Sequence, residues 1–180
     1  MQPYYKIILS VIIVVAMTIL SASAGLPENS DSDIDNMKAA FIYNFTKYIK
    51  WPNLDNNHVF KIGVLGNSEI TISLQELAAK KLIERKSIEV FHFKAVQDLK
   101  FCHILFISES ENQNVLEILS TQGNRATLTI GESEGFCERG VMINFFLQDG
   151  MVKFEMNSMS LEDAGLKVSS QLQKLARIVQ

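Results

Sequence analysis

The feature that most constrains the fold is a short apolar segment in the middle of the chain, Cys102–Ile107, which Ser108 ends. Every residue in it except His103 is apolar. A run this short and this apolar is typical of a β-strand that is covered on both faces, as in a parallel sheet flanked by helices. The sequence therefore predicts an α/β protein built around a central strand.

Helical and strand patterns alternate on either side of this segment. Asp149-Gly150 lies between two β-rich runs, which is a strong signal for a type I′ hairpin. The pattern predicts a single-domain mixed sheet with a parallel core, a C-terminal antiparallel hairpin at its edge and helices on both faces. From the periodicity we expect strands at 59–65, 87–93, 102–107, 126–130, 141–147 and 151–156, helices at 37–51, 69–81, 111–121 and 169–178, and a short helical turn at 160–163.

The N-terminal segment has the pattern of an export signal. Lys6 precedes an apolar run, Ile7–Leu20, and Ala22-Ser23-Ala24 follows with the small residues that a signal peptidase accepts. The run is shorter than the roughly 20 residues of a membrane span, although an uncleaved anchor is the alternative. We therefore predict a cleaved signal peptide at 1–24, a flexible polar leader at 25–36 and one α/β domain at 37–180. The mature chain should be exported and should not insert stably in the membrane.

Charge and motif content exclude several classes of function. The formal net charge is −3 and the chain has no basic run, which argues against a nucleic-acid partner. The three histidines are His58, His92 and His103, and none has a second metal ligand at helical spacing. Asp55 shares a loop with His58 but has no third ligand near it. The sequence therefore predicts no metal site, no cofactor and no catalytic residue.

A few polar or aromatic residues remain as weaker candidates. Gly66–Ser68 follows a strand and opens a helix, so its N–H groups could hold an anion, although an ordinary capped turn is the expected structure. Asn144 lies in an apolar strand and must find a polar partner. Lys153 and Glu155 alternate with apolar residues and are expected to face solvent. Trp51 is expected in the core or at its rim rather than in a partner interface.

The two cysteines, Cys102 and Cys137, leave two alternatives open. Export would place them where disulfides persist, so they are a candidate disulfide pair. The other reading is two separate thiols, with at least one buried in the core. A thiol in apolar surroundings is a poor nucleophile, so catalysis by either cysteine is not expected.

Several segments resemble the YfiR-like family of periplasmic proteins. Lys38–Pro52, with the sequence KAAFIYNFTKYIKWP, is similar to the opening helix of that family. Shorter blocks follow in the family's order and extend over nearly all of the mature chain: Cys102–Ser108, Leu128–Gly131 with Gly135-Phe136, Met142–Phe145, Val152–Asn157 and Ala164–Ser170. These blocks mark a fold rather than a catalytic centre.

The resemblance implies a non-catalytic negative regulator that binds the periplasmic sensor region of an inner-membrane diguanylate cyclase and lowers cyclic di-GMP output. Members with more cysteines form disulfides. Cys102 matches one half of one such bridge and Cys137 one half of another, and the partner position of each holds a different residue. Redox control would then be lost here or rewired into a Cys102–Cys137 bond. The alternative function is an exported small-molecule binding protein, with its cleft near Gly66–Ser68 and Gly131–Gly135. Neither the sequence nor the resemblance identifies the surface that contacts the partner, and a homodimer is one option for the oligomeric state.

Overall fold

The computed structural model describes residues 31–52, 54, 59–123 and 125–179. The predicted signal peptide lies outside these residues, as do Asp55 and His58. The helices are α1 (Asp31–Tyr48), α2 (Ile70–Ala78), α3 (Val115–Gln122), α4 (Ser158–Asp163) and α5 (Ser170–Gln173). The strands are β1 (Ile49–Lys50), β2 (Val59–Leu65), β3 (Ser87–Phe93), β4 (Ile104–Ile107), β5 (Leu128–Gly131), β6 (Ile143–Gln148), β7 (Met151–Asn157), β8 (Lys167–Val168) and β9 (Arg177–Val179).

Seven strands form one mixed sheet in the order β3-β2-β4-β5-β6-β7-β9. The first five in this order run parallel, β7 runs antiparallel to β6, and β9 runs parallel to β7. Strand β4 lies inside the sheet and all four of its residues are buried. The α/β fold with a central apolar strand is therefore confirmed.

Helices cover both faces of the sheet, as predicted. Ile104 and Phe106 of β4 face a core that includes residues of α1 and α2. Leu105 and Ile107 face the opposite side, where Val115 and Ile118 of α3 pack. The two faces follow from the period of two along a strand, which sends successive side chains to opposite sides. Within the described residues, no helix has both the length and the apolar character of a membrane span.

The first helix begins earlier than the sequence predicted. It starts at Asp31, so the expected flexible leader is helical over its second half, 31–36. Asp31 and Asp33 lie in the first turn, where carboxylates stabilise the positive end of the helix dipole. The side chain of Asp35 is buried and lies 3.4 Å from Lys38 Nζ. Farther along, the Phe45 ring stacks on Phe145 of the sheet at 5.9 Å between centroids.

The hairpin at Asp149-Gly150 is confirmed, but the prediction for the chain end was wrong. The φ angles of Asp149 and Gly150 are 52° and 72°, as a type I′ turn requires. Instead of a helix over 169–178, α5 ends at Gln173 and the chain then extends into β9. The predicted helix would have turned Leu172, Leu175 and Ala176 inward, but Leu175 is 74% exposed. Because β9 adds to β7, the hairpin is not the edge of the sheet.

Candidate functional site

The strand order reverses between β2 and β4, which is where α/β proteins commonly bind ligands. Here the two loops at this point hydrogen-bond to each other. Ser108 Oγ donates to Asn67 O at 2.5 Å, and Ser110 Oγ accepts from Asn67 N at 3.0 Å. A Cβ at Gly66 would lie only 2.5 Å from Ser110 Oγ. The expected turn at Gly66–Ser68 is therefore confirmed, and its Asn67 N–H, which could have bound an anion, is taken by Ser110 Oγ.

A row of polar residues crosses the other half of the sheet instead. Gly131 of β5 pairs with Asn144 of β6, Asn144 pairs with Glu155 of β7, and Glu155 pairs with Arg177 of β9. Cross-strand partners point to the same face of a sheet, so the three side chains lie in one line. This face is the one opposite α1. We call Asn144, Glu155 and Arg177 the polar row.

The carboxylate of Glu155 is the centre of the polar row. Asn144 Nδ2 donates to its Oε1 at 3.1 Å, while Arg177 Nε donates to Oε2 at 3.1 Å and Arg177 Nη2 donates to the same oxygen. The hydrogen bond to Glu155 raises the pKa of Arg177. The Arg177 guanidinium also lies 4.3 Å from the centre of the Phe146 ring. Charge-assisted hydrogen bonds of this kind fix both partners in orientation as well as in position.

The placement of Glu155 corrects the sequence-based expectation that it faces solvent. Glu155 is only 2% exposed, whereas Lys153, two residues earlier in β7, is exposed as expected. Glu155 is buried because the chain end adds β9 beside it. Asn144 finds the expected polar partner through its Nδ2 only. Its Oδ1 is buried and has no hydrogen-bond partner among the described residues. A buried acceptor without a partner costs about 1–3 kcal/mol.

A cavity of about 510 Å³ lies between the polar row and the loop that follows β5. Gly131 allows this loop to fold closely, because a Cβ there would lie 2.1 Å from the Phe136 ring. Three loop carboxylates line the cavity on the side opposite the sheet. The lining includes Glu132, Glu134, Glu138, the three members of the polar row and Phe146.

A smaller cavity of about 210 Å³ lies beside the first and shares Glu132 with it. Lys38 of α1 lines this cavity and donates to Glu132 Oε2 at 2.7 Å. Burial alone would lower the pKa of Lys38, but the hydrogen bond and charge of Glu132, with a contribution from Asp35, raise it above its ordinary value. Lys38 therefore neutralises Glu132 and joins α1 to the loop.

Both cysteines are free and buried, so the candidate disulfide is not formed. Cys102 precedes β4, and its Sγ lies close to Gly63 of β2. Cys137 lies near β7, where Asn157 Nδ2 donates to its carbonyl at 2.8 Å. Strands β4 and β7 are three strand spacings apart, about 14 Å, whereas a disulfide needs Cα atoms within about 7 Å. Burial raises the pKa of the Cys102 thiol to about 12 and raises the pKa of Cys137 as well.

The two described histidines and the tryptophan have structural roles. His92 Nε2 lies 2.8 Å from Gly66 O, and His103 Nδ1 accepts the backbone N–H of Lys61 at 2.9 Å. Trp51 Nε1 donates to His103 O at 3.2 Å, and its ring packs on the edge of the core. In the described ranges, no set of three His, Cys, Asp or Glu side chains is arranged to hold a metal ion.

Comparison with known proteins identifies the family. A solved structure of a conserved domain protein from Vibrio cholerae O1 biovar eltor str. N16961 has the same fold, with a TM-score of 0.53 and 13% sequence identity. The match covers 81% of this chain and 60% of that one, so the chain spans less than two thirds of its neighbour's length. The sequence model of the YfiR/HmsC-like family matches residues 35–177, which include α1 from Asp35 onward, the seven-stranded sheet up to Arg177, and the complete polar row. The chain therefore belongs to the YfiR/HmsC-like family.

Proposed function

We propose that this protein is a periplasmic, non-catalytic negative regulator that binds the periplasmic part of an inner-membrane diguanylate cyclase and lowers cyclic di-GMP output. The observation that carries the proposal is the family match over residues 35–177. Membership in the YfiR/HmsC-like family supports, in general, a periplasmic regulator of a diguanylate cyclase. The export signal predicted at 1–24 is consistent with this location.

The physical mechanism requires that the protein bind one conformation of the cyclase more tightly than another. A partner that binds both conformations equally shifts no equilibrium, however tight the complex. The regulator must therefore hold the periplasmic part in the conformation that keeps the cytoplasmic domains inactive. A tenfold shift in activity needs a difference in binding free energy of about 1.4 kcal/mol between the two conformations.

The experiment is deletion of the gene in the bacterium that carries it, with cyclic di-GMP measured in cell extracts. Deletion should raise cyclic di-GMP, and the intact gene supplied in trans should lower it again. A matched variant without residues 1–24 should fail to restore it, because that protein would stay in the cytoplasm. Affinity capture from solubilised membranes should recover a diguanylate cyclase with the exported form. Unchanged cyclic di-GMP after deletion would count against the proposal.

The second candidate is an exported small-molecule binding protein with no cyclase partner. The cavity of about 510 Å³ favours it. The Gly131–Gly135 part of the cleft expected from the sequence borders this cavity through Gly135, whereas the Gly66–Ser68 part is closed by Ser108 and Ser110. Ligand binding by the purified protein together with unchanged cyclic di-GMP in the deletion strain would favour this candidate.

A further inference from the structure

We propose that one end of the molecule binds the surface of an anionic phospholipid membrane. Strands β3, β2, β4 and β5 lie side by side and run parallel, so all four begin at the same end of the sheet. The described segments that lead directly into β3, β4 and β5 are 79–86, 99–103 and 125–127, and we call them the basic end. They carry one carboxylate, Glu84, and six cations: Lys80, Lys81, Arg85, Lys86, Lys100 and Arg125.

The opposite end of the same sheet carries the opposite charge. The described loops that follow β2, β4 and β5 carry one cation, Arg139, and six carboxylates: Glu69, Glu109, Glu111, Glu132, Glu134 and Glu138. Because the formal net charge of the whole chain is −3, the basic end does not result from composition but from the way the fold sorts its charges. A charge separation of this kind orients a protein in front of a charged surface.

Three cations of the basic end are available to an external anion. Lys80, Lys81 and Arg85 are exposed, and within the described residues none of the three forms an ion pair with a carboxylate. Arg85 also lies in a strained turn. The φ angles of Glu84 and Arg85 are 48° and 67°, which glycine or asparagine adopts at a lower cost. The turn therefore holds charged side chains at its tip although they strain its backbone.

Two exposed apolar side chains lie among these cations. Leu82 is 59% exposed and Phe101 is 42% exposed. The hydroxyl of Tyr43 donates to Leu82 O at 3.3 Å, and Lys47 Nζ lies 4.6 Å from the centre of the Tyr43 ring, so the end of α1 adds a further cation beside Leu82. Apolar side chains flanked by Lys and Arg suit a lipid surface, because they enter the acyl boundary while the cations contact the phosphates of the headgroups. This combination favours a membrane over a nucleic acid.

Membrane binding at the basic end rests on the proposed function only for its location. An exported regulator of an inner-membrane enzyme works beside the outer leaflet of that membrane, where peripheral binding concentrates it near its partner. Attachment of this kind is reversible and needs no membrane-spanning helix. Binding to vesicles requires no cyclase, and the cyclic di-GMP level of the deletion strain requires no vesicle, so either proposal can fail while the other holds.

The test is co-sedimentation of the purified chain with vesicles of phosphatidylcholine alone, or of phosphatidylcholine with about 30% phosphatidylglycerol. Residues 1–24 are left out so that their apolar run cannot itself bind lipid, and the remaining chain contains every described helix and strand. The partition coefficient on the anionic vesicles should exceed that on the neutral ones at least about tenfold. It should fall to the neutral value at about 0.5 M NaCl, because salt screens the attraction.

The triple variant Lys80→Gln/Lys81→Gln/Arg85→Gln should bind the anionic vesicles at least about tenfold more weakly, since each cation near such a surface contributes about fivefold. Leu82→Ser should weaken binding at least about threefold, because it removes an apolar side chain from the lipid boundary. All four positions are exposed, so both variants should fold as the wild type does.

The matched control Lys94→Gln/Lys153→Gln/Lys174→Gln removes three exposed cations elsewhere, has the same net charge as the first triple variant and should bind as the wild type does. Membrane binding at the basic end is refuted if the two kinds of vesicle bind alike or if the two triple variants bind alike. It is also refuted if soluble polyglutamate binds as tightly as the anionic vesicles and Leu82→Ser has no effect, because the basic end would then fit an acidic protein.

Discussion

Replacing Arg177 with alanine should destabilise the protein, because it leaves the Glu155 carboxylate buried without its cation. Arg177 supplies two donors to Glu155 Oε2 and packs over Phe146. Hydrogen bonds to a charged group contribute about 1.5–3 kcal/mol, and an exposed cation–π contact about 0.5–1 kcal/mol. The side chain of Arg177 is 62% exposed, so water replaces part of what is lost. We expect the free energy of unfolding to fall by about 2 kcal/mol.

Urea unfolding measures this change, and the chain carries a convenient probe. Trp51 is the single tryptophan, and its indole donates to His103 O and contacts Phe60 edge-on at 5.4 Å. Its fluorescence should therefore report loss of the core. Lys153→Ala is the matched control, since it removes an exposed cation from the same face of β7 and should change stability by less than about 0.5 kcal/mol.

A double-mutant cycle separates the pair from its surroundings. Glu155→Gln keeps the size of the side chain but needs no cation, so Arg177→Ala should cost about 1 kcal/mol less in that background. Equal costs of Arg177→Ala in the two backgrounds would refute the reasoning that the carboxylate depends on the guanidinium. So would a wild-type midpoint for Arg177→Ala, because the guanidinium would then contribute nothing to the stability of the fold.

Three further outcomes are expected. Lys38→Met should lower the free energy of unfolding at neutral pH. Because the pKa of Lys38 is raised above 10.5 in the folded state, the stabilisation by its charge is complete below pH 10.5 and disappears as the pH rises through the pKa of the folded state. The urea midpoints of wild type and variant should therefore converge in alkali. The thiols of Cys102 and Cys137 should not react with dithionitrobenzoate at pH 8 while the chain is folded. Both should react, without added reductant, once urea unfolds the chain. If neither thiol of the unfolded chain reacts, the two cysteines form a disulfide. Gly131→Ala should cost at least about 1–3 kcal/mol in the same unfolding assay, because the new Cβ would lie 2.1 Å from Phe136, and a fully stable variant would mean that the loop is packed differently.

The parts of the fold that the sequence predicted well depend on local chemistry. Strands β2 and β3 begin and end at the predicted residues because apolar residues alternate along them between clear turn signals. The hairpin was predicted because Asp149 and Gly150 accept positive φ angles. The central position of β4 followed from an uninterrupted apolar run. None of these inferences required knowledge of distant residues.

The C-terminal prediction was wrong because local and long-range preferences conflict there. Leu172, Leu175 and Ala176 have the three- and four-residue spacing of a helix, but α5 contains only four residues and Leu175 is exposed. A helix this short has little intrinsic stability. Arg177–Val179 gains more by pairing with β7 and placing its guanidinium on Glu155. β-branched residues at positions 178 and 179 also favour the extended backbone.

This one error also concealed the candidate site. Glu155 was expected to face solvent because polar and apolar residues alternate along β7. That reasoning holds only if β7 is the edge strand of the sheet, and β9 in fact pairs with its outer side. Two of the three members of the polar row could still have been found from the turn alone. In a two-residue hairpin at Asp149-Gly150, pairing proceeds outward from Gln148 and Met151, and the fifth pair is Asn144 with Glu155. Arg177 could not be found in this way, because a helix, a short strand and a second helix lie between it and its partner and leave its register to tertiary packing.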